Sequence, residues 1–121
     1  MVLADVPCSG LGVTGKPDIR YRRTDDDIRE LCAIQGKILR AAAGCVRPGG
    51  VLVYATCTIS ERENEAQAEA FLSEHGDFRP AGLQGLLPEG LPGLDSGMVQ
   101  LLPHRDHTEG FFIARLERCK A

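Results

Sequence analysis

The run Val51-Leu52-Val53-Tyr54-Ala55-Thr56-Cys57 constrains the fold more than any other stretch of this chain. Pro48-Gly49-Gly50 stops whatever precedes it. The apolar, β-branched run that follows is too short for a useful helix, so it reads as a buried strand of a parallel sheet. Ser60-Glu61-Arg62-Glu63 then has the form of a capping box opening a helix. Cys57 therefore falls at the carboxyl end of a strand, where open α/β sheets bind ligands. It also stands just ahead of a helix N-terminus, whose dipole favours thiolate over thiol. On position alone two readings stand side by side: a nucleophile, or a small buried hydrophobe, the commoner fate of free cysteine.

A first strand spans about Val2 to Val6 and ends at Pro7, which cannot continue a central strand. A strand beginning at Met1 with no lead-in is expected of a segment taken from a longer chain. Residues 9–23 are loop-like, punctuated by Gly10, Gly12, Gly15 and Pro17. Thr24-x-x-Asp27 is a second capping box. Ile28, Leu31, Cys32, Ile38, Leu39 and Ala42 then recur at helical spacing as far as about Gly44 or Val46. Strand, helix and strand in this order predict a right-handed crossover between parallel neighbours. A second helix is predicted from about Glu61 to His75, with Ala66, Ala70 and Phe71 inward and Gly76 as its stop. Arg79 to Gly97 is rich in Gly and Pro and reads as a long irregular loop. Met98–Leu102 and Gly110–Leu116 are third and fourth strands, antiparallel because the Pro103–Glu109 connection is short.

Composition removes several functional classes. The 121 residues suit one domain, and 43% hydrophobic with 26% charged content is that of an ordinary globular protein. No apolar run approaches the ~20 residues of a membrane helix. No basic-then-apolar leader is present, so a cytoplasmic location is expected. The five cysteines form no C-x-x-C pair, which excludes zinc-ribbon and thioredoxin spacing and fits reduced thiols. A net charge of −3 gives the whole chain no electrostatic footprint for nucleic acid, although Lys16, Arg20, Arg22 and Arg23 cluster locally. Gly10-Leu11-Gly12-Val13-Thr14-Gly15 matches a dinucleotide fingerprint, but Lys16-Pro17 follows where a helix should open. His104-x-x-His107 has only Asp106 beside it and reads as a surface turn, so no metal site is expected.

The strong signal is a pair. Asp5-Val6-Pro7-Cys8-Ser9-Gly10 follows one strand and Thr56-Cys57 follows the next, so parallel neighbours would bring two thiols and a carboxylate to one sheet edge. With Pro17-Asp18-Ile19-Arg20-Tyr21, Gly49-Gly50-Val51-Leu52-Val53-Tyr54-Ala55-Thr56-Cys57-Thr58, Glu63-Asn64-Glu65 and Gly110-Phe111-Phe112-Ile113-Ala114-Arg115-Leu116, the chain resembles the Nop/Sun family of RNA cytosine-5 methyltransferases. It is similar to the C-terminal half of that family's catalytic domain over residues 1–121, with Val6 where the family usually has Ala. The fold implied is α/β: a partial Rossmann-like (class I) methyltransferase sheet of about four strands with two main helices, the last strand antiparallel.

The resemblance implies S-adenosylmethionine as cofactor, with its main binding motif in an N-terminal half absent here, so that the chain alone would be inactive. It assigns the attacking thiolate to Cys57, product release to Cys8, and the cytosine edge to Asp5. Asp5 and Pro7 border the methionine part of the cofactor, and Phe111 packs near the base. The bland role for one of Phe111 and Phe112 is core packing. Lys16, Arg20, Arg22 and Arg23 become phosphate contacts to RNA, ribosomal rather than transfer RNA. The first strand would expose an apolar edge, through which the chain could dimerise or by which it is left marginally stable. The competing class is a non-catalytic binding or accessory module that keeps both cysteines as inert core residues.

Overall fold

A computed structural model describes residues 1–7, 25–58, 60–87, 90–91, 93–101 and 110–119. Cys8, the glycine-rich stretch at Gly10–Gly15, the cations Lys16, Arg20, Arg22 and Arg23, the Thr24 cap and the His104–His107 turn lie outside the described residues. The elements are β1 (Val2–Asp5), α1 (Asp25–Ala43), β2 (Val51–Thr56), α2 (Glu65–Glu74), β3 (Phe78–Pro80), β4 (Met98–Leu101) and β5 (Phe111–Arg118).

β1 and β2 pair in parallel with Asp5 opposite Ala55, as the crossover predicts. β5 runs antiparallel to β2 on the other side, with Thr56 opposite Phe112. β4 and β3 both pair antiparallel with β5, β4 along Phe111–Ala114 and β3 along Leu116–Arg118. The described sheet thus has five strands, one more than expected, because Phe78-Arg79-Pro80 joins it at the start of the predicted loop. Proline fits there because β3 ends one path of the sheet.

β2 begins where the sequence places it. The Gly50 N–H donates to the Arg47 carbonyl at 2.8 Å, closing a turn over Pro48-Gly49. Gly49 has φ 81, which a residue with a Cβ rarely adopts, so glycine is required at this turn. β2 is not buried on both faces, however. Leu52, Tyr54 and Thr56 are buried while Val51, Val53 and Ala55 are half-buried, the alternation of a sheet covered on one side. The covered face packs against α1 and α2, and the core joins Leu39, Ala43, Leu52, Tyr54, Ala68, Phe71, Phe112, Ala114 and Leu116.

Two expectations about α2 are corrected. It starts at Glu65 rather than Glu61, because Glu63 turns inward to buried partners instead of back onto a capping residue. Its inward face is Ala68 and Phe71; Ala66 and Ala70 are exposed. Among the described residues, no helix is long and apolar enough to cross a membrane.

Candidate active site

The face of the sheet away from the helices opens at the carboxyl ends of β1 and β2 into a cleft of about 300 Å³. Leu3, Asp5, Ala55, Thr56, Cys57, Leu101, Phe111, Phe112 and Ile113 line it. Strand alternation produces this lining. Ala4 and Val6 point to the helices, so Leu3 and Asp5 must face the other way. The same parity sends Ala55 and Cys57 from β2, and Phe111 and Ile113 from β5, to the open side. The register Asp5↔Ala55 sets the Asp5 carboxylate two residues across from the Cys57 position. Asp5 is exposed and Cys57 half-buried, so both are within reach of a ligand. Of the expected pair of phenylalanines, Phe112 is fully buried against Tyr54 and Phe111 belongs to the cleft.

Pro7 is exposed and does not line this cleft; its carbonyl oxygen accepts a hydrogen bond from Gln35 Nε2 at 2.8 Å. The same amide donates to Glu63 Oε1 at 3.1 Å. Tyr54 donates its hydroxyl to the Glu63 carbonyl at 2.5 Å. Gln35 and Glu63 are both fully buried, so α1 ties the end of β1 to the segment that follows Cys57. The cysteine is itself flanked by buried threonines. Thr56 Oγ1 donates to Asn64 Oδ1 at 2.5 Å and Thr58 Oγ1 donates to Glu63 Oε2 at 3.2 Å. No buried side-chain polar atom among the described residues lacks a partner.

The sequence reading missed Gln35, Asn64 and Gln100. Gln35 carried a signal, since it interrupts the apolar stripe of α1 between Leu31 and Leu39, and a polar residue there is buried and needs partners. Asn64 lies in a stretch that carries the family resemblance. Gln100 sits in a four-residue strand and nothing in the sequence around it announces a role.

Cys32, Cys45 and Cys119 form no disulfide. Burial raises the pKa of Cys32, the Glu63 charge adds to this, and Arg62 and Gln67 oppose it. Its sulfur lies 3.5 Å from the Arg62 carbonyl, on the helix side of the sheet. Among the described residues no group of three His, Cys, Asp or Glu side chains is placed to hold a metal ion.

A family profile described as 16S rRNA methyltransferase RsmB/F matches residues 1–117. The "Probable ribosomal RNA small subunit methyltransferase B" of Synechocystis is 47% identical over 118 residues, covering 96% of this chain and 26% of that protein. The ribosomal RNA small subunit methyltransferase B of Pectobacterium atrosepticum is 44% identical over 116 residues, covering 95% of this chain and 25% of that protein. Among solved structures, NSun6 from Pyrococcus horikoshii with SFG superposes with a TM-score of 0.81 at 33% identity, covering 98% of this chain and 30% of that one. The chain thus spans about a quarter of the length of the curated relatives it matches.

Proposed function

Because the chain belongs to the RsmB/F family of 16S rRNA methyltransferases, we propose that it is the C-terminal, substrate-side part of a cytoplasmic enzyme that methylates carbon 5 of a cytosine in ribosomal RNA. The observation that carries this reading is that Asp5, Cys57 and Phe111, singled out on separate stretches of sequence, line one cleft.

The chemistry asks for such a set. Carbon 5 of cytosine is a poor nucleophile. The Cys57 thiolate adds to carbon 6, forming a carbon–sulfur bond and moving the electron pair of the 5,6 double bond onto carbon 5. The Asp5 carboxylate accepts from the amino group of the cytosine edge, and a proton held between Asp5 and the ring nitrogen offsets the negative charge that gathers there as the thiolate adds. Phe111 offers an apolar surface against which an unstacked base can lie. S-adenosylmethionine, when bound, would supply an electrophilic methyl group for carbon 5 and would keep the electron pair of the broken sulfur–methyl bond, leaving as the neutral thioether. Loss of the carbon 5 proton then restores the double bond and expels the Cys57 thiolate, so the enzyme is regenerated. Cys8 assists this last step. Lys16, Arg20, Arg22 and Arg23 hold the phosphates of the RNA.

The lining fits only part of the cofactor. Among the described residues Asp5 is its one carboxylate, and no second acidic side chain among them lines it for a ribose diol. Its apolar walls with Asp5 at the margin suit the base and the methyl-bearing end of the cofactor, with Pro7 nearby. The remainder is assigned to a cofactor-binding half outside these residues. SFG, the S-adenosylmethionine analogue that accompanies NSun6 in the Pyrococcus horikoshii structure, supports this choice of cofactor.

Differential thiol labelling tests the reading. Selective modification of Cys57 at neutral pH, ahead of Cys32, Cys45 and Cys119, is the expected result. Equally slow labelling of all of them would favour a non-catalytic module instead. Pairing of two copies through the edge of β1, where Leu3 is 64% exposed, is tested by light scattering, and a monomer rejects it.

A further inference from the structure

The turn that carries Cys57 is held by two side-chain amides from distant parts of the chain. The carbonyl oxygen of Thr58 accepts from Asn64 Nδ2 at 2.8 Å and from Gln100 Nε2 at 3.2 Å. Asn64 Nδ2 also donates to Gln100 Oε1 at 2.6 Å, so the amides are locked to each other. Asn64 Oδ1 receives the Thr56 hydroxyl proton on the near side of the cysteine. Asn64 therefore bonds to both neighbours of Cys57, and its orientation is determined, because one end must accept and the other donate. Gln100 Nε2, with two hydrogens for three carbonyl oxygens, shares its bonds between Thr58 and the carbonyl oxygens of Leu101 at 3.1 Å and Phe111 at 3.0 Å. Leu101 and Phe111 line the same cleft as Cys57. Asn64 is 1% exposed, as is Thr56, and Thr58 is fully buried, so water does not compete for the bonds of Asn64 to these two threonines.

We propose that Asn64 and Gln100 are positioning residues for Cys57. The converging amides fix the Thr58 carbonyl, and with it the backbone that aims the thiol into the cleft. Through Gln100 the same clamp fixes the distance from that thiol to the wall formed by Leu101 and Phe111. Attack on carbon 6 demands a defined approach to the base face, and a displacement of about 1 Å at such a step costs on the order of a hundredfold in rate. The inference rests on Cys57 being the nucleophile.

The test is single-turnover formation of the covalent adduct between the intact methyltransferase containing these residues and RNA bearing 5-fluorocytosine, whose fluorine blocks loss from carbon 5. Asn64→Asp keeps the acceptor for Thr56 and removes both donated bonds. Gln100→Met keeps the length of a half-buried side chain and removes every amide bond, so it decides the matter if Asn64→Asp does not fold. The expected result is an adduct rate lowered about tenfold or more, with RNA affinity unchanged and the thermal midpoint of Gln100→Met close to wild type. An adduct rate equal to wild type in a folded variant, while Cys57→Ser abolishes the adduct, overturns the clamp and leaves the nucleophile standing. An adduct that persists in Cys57→Ser overturns both.

Discussion

Gln35 and Pro7, 28 residues apart, are joined by a 2.8 Å hydrogen bond from the side-chain amide to the main-chain carbonyl. The same nitrogen serves the buried Glu63 carboxylate, and Gln35 itself has no exposed surface. Gln35→Leu keeps the bulk and removes both donated bonds, to the Pro7 carbonyl oxygen and to Glu63 Oε1. Loss of a hydrogen bond to a buried acceptor costs roughly 1–3 kcal/mol. Urea unfolding is expected to show a loss of at least that size, and a variant as stable as wild type would mean that the end of β1 does not depend on α1.

Asp5 presents the opposite case. It is exposed at the edge of the described sheet, so Asp5→Asn should change stability by no more than about 0.5 kcal/mol, as surface substitutions usually do. Methyl transfer by the intact enzyme should nonetheless fall by a factor of about 100 or more, because the cytosine edge loses the carboxyl group that accepts from its amino group and holds the proton at its ring nitrogen. A melting curve beside a methyl-transfer assay separates the two effects. Equal activity in the variant would remove Asp5 from the chemistry.

Much of this arrangement could be read from the sequence, and the failures share a cause. Pro48-Gly49-Gly50 and the β-branched run after it define β2 locally, so Cys57 could be placed at a strand end without tertiary information. Asp5 and Phe111 are marked in the sequence by the family resemblance, and parity along β1 and β5 in the folded sheet places them on the open face. The capping box at Ser60–Glu63 failed because Glu63 meets Gln35 and Thr58, partners 28 and 5 residues away, and tertiary hydrogen bonds overrode the local one. The wrong phase for α2 follows from its later start, since alanines at 66, 68 and 70 give the pattern little to discriminate faces. β3 escaped notice because three residues including a proline resemble a loop until β5 is there to pair with them.

Cys32 gives a pH-dependent prediction. Burial, with the Glu63 charge second, raises its pKa in the folded chain above the ordinary thiol value. The folded form therefore holds its proton through a window where the unfolded form has lost it. The associated stability is fully present below the unfolded thiol pKa and is lost as pH rises toward the folded value. Alkylation of Cys32 should lag behind that of exposed Cys45 under mildly alkaline conditions. Cys32→Ala should flatten the decline in stability on the alkaline side, measured as melting midpoint against pH. An unchanged alkaline slope would show that Cys32 titrates alike in both states.

The division of the cofactor site gives the last prediction. A ribose diol is commonly held by an acidic side chain at a strand end, and among the described residues the cleft offers one carboxylate, which the cytosine edge already requires. Calorimetric titration of S-adenosylmethionine into this chain should therefore give little or no heat. The same titration into the chain joined to an N-terminal half from a relative should give saturable binding. That binding should survive Cys57→Ser, since the thiol addresses the base and not the cofactor. Binding by the 121 residues alone would place the pocket within them and end the two-half account of the site, whereas loss of cofactor binding in Cys57→Ser would move the thiol from the base to the cofactor.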